Sequence, residues 1–75
     1  METLNIRNIL SGRENEIMVL VSAGKLNKQI AEELNCEETT IKKHLQHIYP
    51  KLGVQNRIQA SFRFMELTGK LILVD

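Results

Sequence analysis

The sequence has almost none of the residues from which covalent or metal-held frameworks are built. Its 75 residues include one cysteine, Cys36, one proline and no tryptophan. A single cysteine cannot form an internal disulfide, and no other soft metal ligand stands near it in the sequence. We therefore expect neither a disulfide framework nor a structural zinc site, and the cysteine content agrees with a reducing compartment.

Long apolar runs are missing as well. The longest runs, such as residues 71–74, are far shorter than the roughly 20 residues that span a bilayer. No basic-then-apolar leader opens the sequence, and no low-complexity stretch interrupts it. We expect a cytoplasmic protein without a membrane partner that folds as a single domain over residues 1–75 with its core at about 10–69.

The sequence also lacks a recognisable catalytic constellation. No nucleophile stands at a plausible spacing from a base, no carboxylate pair is isolated in an apolar run, and no glycine-rich phosphate loop occurs. His44 and His47 lie close together, but without a third ligand they favour packing or phosphate contact over a metal site. The sequence thus predicts a protein that is not an enzyme and binds no metal or cofactor.

Acidic residues are absent from one long segment. The net charge is only +1 and by itself gives no support to nucleic-acid binding. All nine acidic residues nevertheless lie outside residues 39–65, whereas that segment contains both histidines together with Lys42, Lys43, Lys51, Arg57 and Arg63. An acid-free basic segment of this kind is typical of a surface that binds a polyanion.

Capping residues and apolar spacing predict an all-α fold, a four-helix bundle without strands. Ser11 and Glu14 form a capping box for a first helix that ends at Gly24. Asn27 is expected to cap a short second helix, and Asn35 to take the left-handed position of the tight turn after it. Two helices joined so closely must cross steeply.

The third helix is predicted over about 38–51, with Gly53 as its stop signal, and the fourth over about 57–68. The third buries an apolar stripe and exposes the opposite face, which consists of Thr39, Lys42, Lys43, Gln46, His47 and Pro50. Pro50 is expected to bend or end this helix because it has no backbone N–H. Asn56 is expected to cap the fourth helix. The spacing of Ala31, Asn35 and Ile41 matches a helix-turn-helix unit formed by the second and third helices.

Several motifs occur in order along residues 10–69. They are Leu10-Ser11-x-Arg13-Glu14-x-Glu16-Ile17, Asn27-Lys28-x-Ile30-Ala31-x-x-Leu34, Thr40-Ile41-Lys42-x-His44-Leu45 and Ile48-Tyr49-x-Lys51-Leu52-Gly53-Val54-x-Asn56-Arg57-x-x-Ala60. Together they resemble the LuxR-type DNA-binding domain. Asn15 departs from that pattern, since an arginine is common at its position.

The resemblance implies a transcription regulator that binds double-stranded DNA as a dimer, with the third helix as recognition helix in the major groove. Matched by position, the base-contacting residues are Lys42, Lys43 and Gln46. The expected phosphate contacts are Lys28, Thr39, Thr40, His47, Lys51, Asn56 and Arg57.

The fourth helix carries two apolar stripes beside a polar strip of Gln59, Arg63, Glu66 and Lys70. One stripe is Ala60, Phe64 and Leu67, and the other is Ile58, Phe62 and Met65 with Ser61 beside it. Periodicity does not say which stripe faces inward. Ala60 matches a small core position of the LuxR type, so we assign the second stripe to a homodimer interface that reads an inverted repeat.

A second class of function stays open. A helix-turn-helix fold can also serve as a protein-interaction module that controls a partner regulator or RNA polymerase without binding DNA itself. Such a module would keep the core motif and lose the basic exposed face of the third helix. The sequence keeps Lys42, Lys43, Lys51 and Arg57 with no acidic residue among them, which favours DNA binding over this alternative.

Overall fold

The computed structural model of the protein describes residues 9–69, and within that range the secondary structure is entirely helical. The helices are α1 (Gly12–Ser22), α2 (Asn27–Leu34), α3 (Glu38–Leu52) and α4 (Arg57–Thr68). Helix α1 packs mainly against α4, and α2 packs mainly against α3. The predicted all-α, four-helix fold with a helix-turn-helix is confirmed.

The start of α1 has the predicted capping box. The Ser11 hydroxyl oxygen accepts a hydrogen bond from the backbone N–H of Glu14 at 3.2 Å, and Glu14 Oε1 accepts from the Ser11 N–H at 2.9 Å. Two backbone donors that the first turn leaves unpaired are satisfied in this way. Gly24 follows the helix with a φ of 88°, the left-handed conformation expected there.

The start of α2 differs from the prediction. Asn27 is the first helical residue, and the extended residue before the helix is Leu26, whose N–H donates to Gln29 Oε1 at 2.8 Å. The prediction that Asn27 caps α2 is wrong. Its side-chain oxygen instead accepts a hydrogen bond from the Arg57 guanidinium at 2.7 Å, because a charged donor forms a stronger hydrogen bond than a backbone amide.

The turn between α2 and α3 follows the prediction. Asn35 has a φ of 59°, which makes it the non-glycine residue in the left-handed region within the described chain. The N–H of Cys36 donates to the Ala31 carbonyl at 2.9 Å and closes the turn. Cys36 is half-buried and packs against the core at this corner.

Helix α3 does not end at Pro50. It continues to Leu52 and stops at Gly53, whose φ is 70°. Two later hydrogen bonds hold the last turn, from the Gly53 N–H to the Pro50 carbonyl at 3.1 Å and from the Val54 N–H to the Tyr49 carbonyl at 3.0 Å. The proline thus costs a hydrogen bond without ending the helix.

The core lies where the four helices meet. Every residue of the predicted apolar stripe of α3 belongs to it, together with side chains from the other three helices and from the segment before α1. The buried apolar residues are Leu10, Ile17, Met18, Val21, Ile30, Ala31, Ile41, Leu45, Ile48, Leu52, Ala60 and Phe64. Because one side of α3 is held in this core, its other side has a defined orientation on the surface.

Candidate nucleic-acid interface

The exposed face of α3 is the surface that the sequence predicts. Lys42, Lys43 and Gln46 are all exposed, on the side opposite the buried Ile41 and Leu45. Of the remaining residues predicted on or beside this face, Thr39, His47 and Pro50 are exposed and Thr40 is half-buried. The three residues predicted to contact bases therefore share one accessible surface.

The positive charge of this face is not neutralised by neighbouring residues. Among residues 9–69, the lysine and arginine side chains that form ion pairs are those of Arg13, Lys51 and Arg63, with Glu16, Glu14 and Glu66 respectively. Lys42 and Lys43 are therefore available to an anion from solvent. Glu38 opens α3 on its exposed first turn, so the basic surface begins only beyond it.

A second basic surface lies where α2, α3 and α4 begin. A cleft of about 450 Å³ there is lined by Leu26, Asn27, Lys28, Glu38 and Arg57. It brings together Lys28 and Arg57, which the sequence predicts as phosphate contacts. Asn56 stands beside them and caps α4 as predicted, since its Oδ1 accepts from the Gln59 N–H at 2.9 Å.

Arg57 is held in this cleft by two neutral groups. Its Nη1 donates to Asn27 Oδ1 at 2.7 Å, and its Nη2 donates to the Lys25 carbonyl at 2.6 Å. Neither acceptor carries a charge, so the guanidinium keeps its positive charge. A guanidinium has five N–H donors, and the remaining ones can still bind an anion.

Lys51 is held differently. Its ammonium donates to both carboxylate oxygens of Glu14, at 2.8 Å to Oε1 and 3.0 Å to Oε2. The Glu14 side chain is only 7% exposed. Burial alone would raise the pKa of Glu14, but hydrogen bonds from Lys51 and Ser11 and the charge of Lys51 outweigh it, and the pKa lies below its usual value. Residues 39–65 contain no acidic residue in the sequence, but in the fold Glu14 lies against one of them, Lys51.

The local sequence around Glu14 indicates only a capping role and does not reveal this pair. One pattern could have revealed it. Glu14 shares a helical face with Ile17, Met18 and Val21, all of which are buried. A carboxylate in a buried stripe requires a charged or hydrogen-bonding partner. Glu14 therefore predicts such a partner on another helix, although the sequence alone does not say which residue it is.

The two apolar stripes of α4 separate as predicted. Ala60 and Phe64 are buried at 0% and 2% exposure, and Leu67 packs against the core. Ile58 and Phe62 are 70% and 55% exposed, while Ser61 and Met65 are half-buried. An apolar surface is thus left on the outer side of α4. Lys70, predicted in the polar strip of this helix, lies outside the described residues.

Comparison with known proteins identifies the family of this chain. The family described as "Bacterial regulatory proteins, luxR family" matches residues 8–63, most of the chain. The chain belongs to the LuxR family. No helix in the described part of this LuxR-family chain is long and apolar enough to cross a membrane.

Three similar proteins carry names of HTH-type transcriptional regulators. The chain is 44% identical to YhjB of Escherichia coli (strain K12) over 52 residues, 69% of the chain and 26% of YhjB. It is 43% identical to GfsR of Streptomyces halstedii over 60 residues, 80% of the chain and 25% of GfsR. It is 40% identical to MalT of Yersinia pestis (strain Pestoides F) over 63 residues, 80% of the chain but 7% of MalT. The LuxR-family chain thus spans about a quarter of YhjB and of GfsR and a smaller share of MalT.

Proposed function

We propose that this chain is a DNA-binding transcription regulator that inserts α3 into the major groove of double-stranded DNA. The proposal rests on one observation above all. Helix α3 exposes Lys42, Lys43 and Gln46 without a carboxylate partner, while its opposite side is held in the core. Membership of the LuxR family and the names of the similar proteins support it.

Base contacts are proposed for the three exposed residues of α3. Lys43 lies at the centre of the exposed face, where its side chain can reach the O6 and N7 acceptors of guanine. Gln46 lies one turn further along, and its amide has the donor and acceptor that adenine requires. Lys42 lies on the flank of the face and serves a base or a phosphate.

Phosphate contacts are proposed on both sides of the groove. Arg57 and Lys28 lie at the cleft where three helices begin, and Asn56 adjoins them. The amide donors of helix N-termini add to such sites. The remaining proposed phosphate contacts on α3 are Thr39, Thr40 and His47. Lys51 also belongs to the predicted set, but its ammonium is already bound to Glu14.

A homodimer through α4 completes the proposal. The proposed interface consists of Ile58, Ser61, Phe62 and Met65, of which Ile58 and Phe62 are large and exposed in the single chain. A two-fold pair formed there would set the two recognition helices about 34 Å apart, one turn of DNA, and would read an inverted repeat. The interface is small, so we expect a weak dimer in solution that tightens on DNA.

For location and partners, we propose a cytoplasmic, nucleoid-associated regulator without enzymatic activity, which can also contact RNA polymerase or another regulator. The alternative is an interaction module that controls such a partner without binding DNA. The exposed Ile58 and Phe62 suit that alternative too, because a partner protein could cover them as well as a second copy can.

Selection of bound sequences from a random duplex pool tests the proposal. The wild-type chain should enrich an inverted repeat, and K42A/K43A should not. A variant with the same charge loss away from α3, K25A/K28A, should bind more weakly but enrich the same sequence. If no sequence is enriched by the wild type, the chain does not read DNA and the interaction module becomes the better explanation.

A further inference from the structure

We infer that Lys51 is a positioning residue, which holds the end of the recognition helix against α1 through Glu14 and makes no phosphate contact. This inference rests on the proposed DNA-binding function. It assigns to Lys51 a role different from that of the other basic residues on and beside α3.

Both carboxylate oxygens of Glu14 are hydrogen-bonded to Lys51. Glu14 Oε1 accepts hydrogen bonds from Lys51 and from the Ser11 N–H, and Oε2 accepts a second one from Lys51. The buried carboxylate therefore accepts three hydrogen bonds from two donor groups, the Lys51 ammonium and the Ser11 N–H. If Lys51 turned away to a phosphate, Glu14 would be left as a buried anion with only the N-cap to compensate it, which is unfavourable.

The ammonium has little left to offer a phosphate. Its nitrogen already donates to both carboxylate oxygens of Glu14, and its charge is balanced by that carboxylate. A DNA phosphate approaching Lys51 would also be repelled by the carboxylate behind it. Arg57 provides the contrast, because its two acceptors, Asn27 Oδ1 and the Lys25 carbonyl, are neutral and leave its charge available.

The location of the pair explains why it would matter for DNA recognition. Lys51 lies in the last turn of α3, directly after Pro50, which cannot donate a backbone hydrogen bond. Glu14 lies in the first turn of α1, 37 residues earlier in the chain. The ion pair therefore ties a weakened end of the recognition helix to another helix and limits how α3 can tilt in the groove.

The first test compares the salt dependence of DNA binding for K51M and K28M. Each variant removes one positive charge and keeps an apolar stem. Loss of a phosphate contact lowers the slope of log Kobs against log salt concentration by about 0.9 per protomer. We expect that decrease for K28M and an unchanged slope for K51M, together with a lower ratio of specific to non-specific affinity. A decrease of the slope for K51M would overturn the inference.

The second test uses E14Q, for which the two roles of Lys51 predict different changes in the ratio of specific to non-specific affinity. Glutamine can keep the capping box while it removes the charge that binds Lys51. If Lys51 positions α3, E14Q lowers the ratio of specific to non-specific affinity, and E14Q/K51M lowers it no further than either single change. If Lys51 contacts a phosphate, E14Q frees it, the ratio does not fall, and the effects of the two changes add. The double variant leaves no unpaired buried charge, so it remains informative if K51M is poorly folded.

A third measurement does not depend on DNA. In the wild type, NMR titration should give Glu14 a pKa below its usual value, and in K51M that pKa should rise. An unchanged titration in K51M would show that the pair does not form in solution and would overturn the inference. Absence of DNA binding by the wild type would overturn the proposed function instead, while the titration would still decide whether the pair exists.

Discussion

Arg57, the first residue of α4, is hydrogen-bonded to Asn27, the first residue of α2, at 2.7 Å. The same guanidinium reaches the Lys25 carbonyl just before α2 at 2.6 Å. One side chain therefore connects the start of the helix proposed to form the dimer with the start of the helix-turn-helix. Because the two donors diverge from one rigid plane, they fix orientation as well as distance.

This fork predicts the effect of R57K. Lysine keeps the charge but cannot reach both acceptors from one planar group, so we expect a loss of about 1 kcal/mol in the free energy of unfolding. Urea denaturation measures it. The matched control is R63K, which changes an exposed arginine paired with Glu66 at 3.6 Å and should leave stability nearly unchanged. Equal stability of R57K and the wild type would show that the fork contributes nothing.

Lys43 predicts the specificity of binding. Replacing Lys43 with alanine should weaken binding to the selected site by roughly 1–3 kcal/mol and relax the preference at one base position. Titration of the selected duplex and of single-base variants measures both effects. K25A, which removes an exposed lysine outside α3, is the control and should leave base preference intact. Wild-type affinity in K43A would argue against α3 as the recognition helix.

The outer face of α4 predicts the behaviour of a dimer variant. Phe62 is 55% exposed in the single chain, so F62E should keep the fold while placing two carboxylates against each other in the proposed interface. We expect it to abolish paired binding to an inverted repeat in footprinting and to remain monomeric in sedimentation. Q59E adds the same charge on the polar strip and should still pair. A variant F62E that pairs like the wild type would place the dimer contact elsewhere, with the tail at residues 70–75 as the next region to test.

Replacing the two phenylalanines of α4 with alanine should lower the free energy of unfolding by very different amounts. Phe64 is 2% exposed and belongs to the core, so F64A should lower the free energy of unfolding by about 3–5 kcal/mol. For a domain of this size such a loss can unfold the protein. F62A should cost far less in dilute solution, where its side chain is half in water. Comparable losses for the two variants would mean that the inward and outward stripes have been interchanged.

The Glu14–Lys51 pair predicts a dependence of stability on pH. The pKa of Glu14 in the folded protein lies below the ordinary value of 4.5, so its ionisation favours the folded state. That contribution is fully present above pH 4.5 and is lost as the pH falls through the lower folded-state pKa. In E14Q the contribution is absent. The difference in unfolding free energy between wild type and E14Q should therefore be constant at neutral pH and shrink below pH 4.5, as urea titrations across that range can measure. A difference that does not change with pH would contradict the lowered pKa.

Features that depend on interactions between neighbouring residues follow from the sequence alone. The capping box of Ser11 and Glu14, the left-handed Asn35 and the stop at Gly53 each depend on residues within a turn of one another. Helical periodicity likewise determined which side of α3 is buried, because residues three and four apart share a face. The four helices and the basic surface with Lys43 at its centre could therefore be predicted without the fold.

The pairing of polar side chains across helices depends on how the helices pack. Glu14 and Lys51 are 37 residues apart, and Asn27 and Arg57 are 30 residues apart. No local pattern specifies such pairs, since each depends on how α1, α2, α3 and α4 pack. Packing also placed the Asn27 side-chain oxygen against Arg57, while Leu26 took the capping position of α2. It also separated two cations that look alike in the sequence, because Lys51 meets a buried carboxylate and Arg57 meets neutral oxygens.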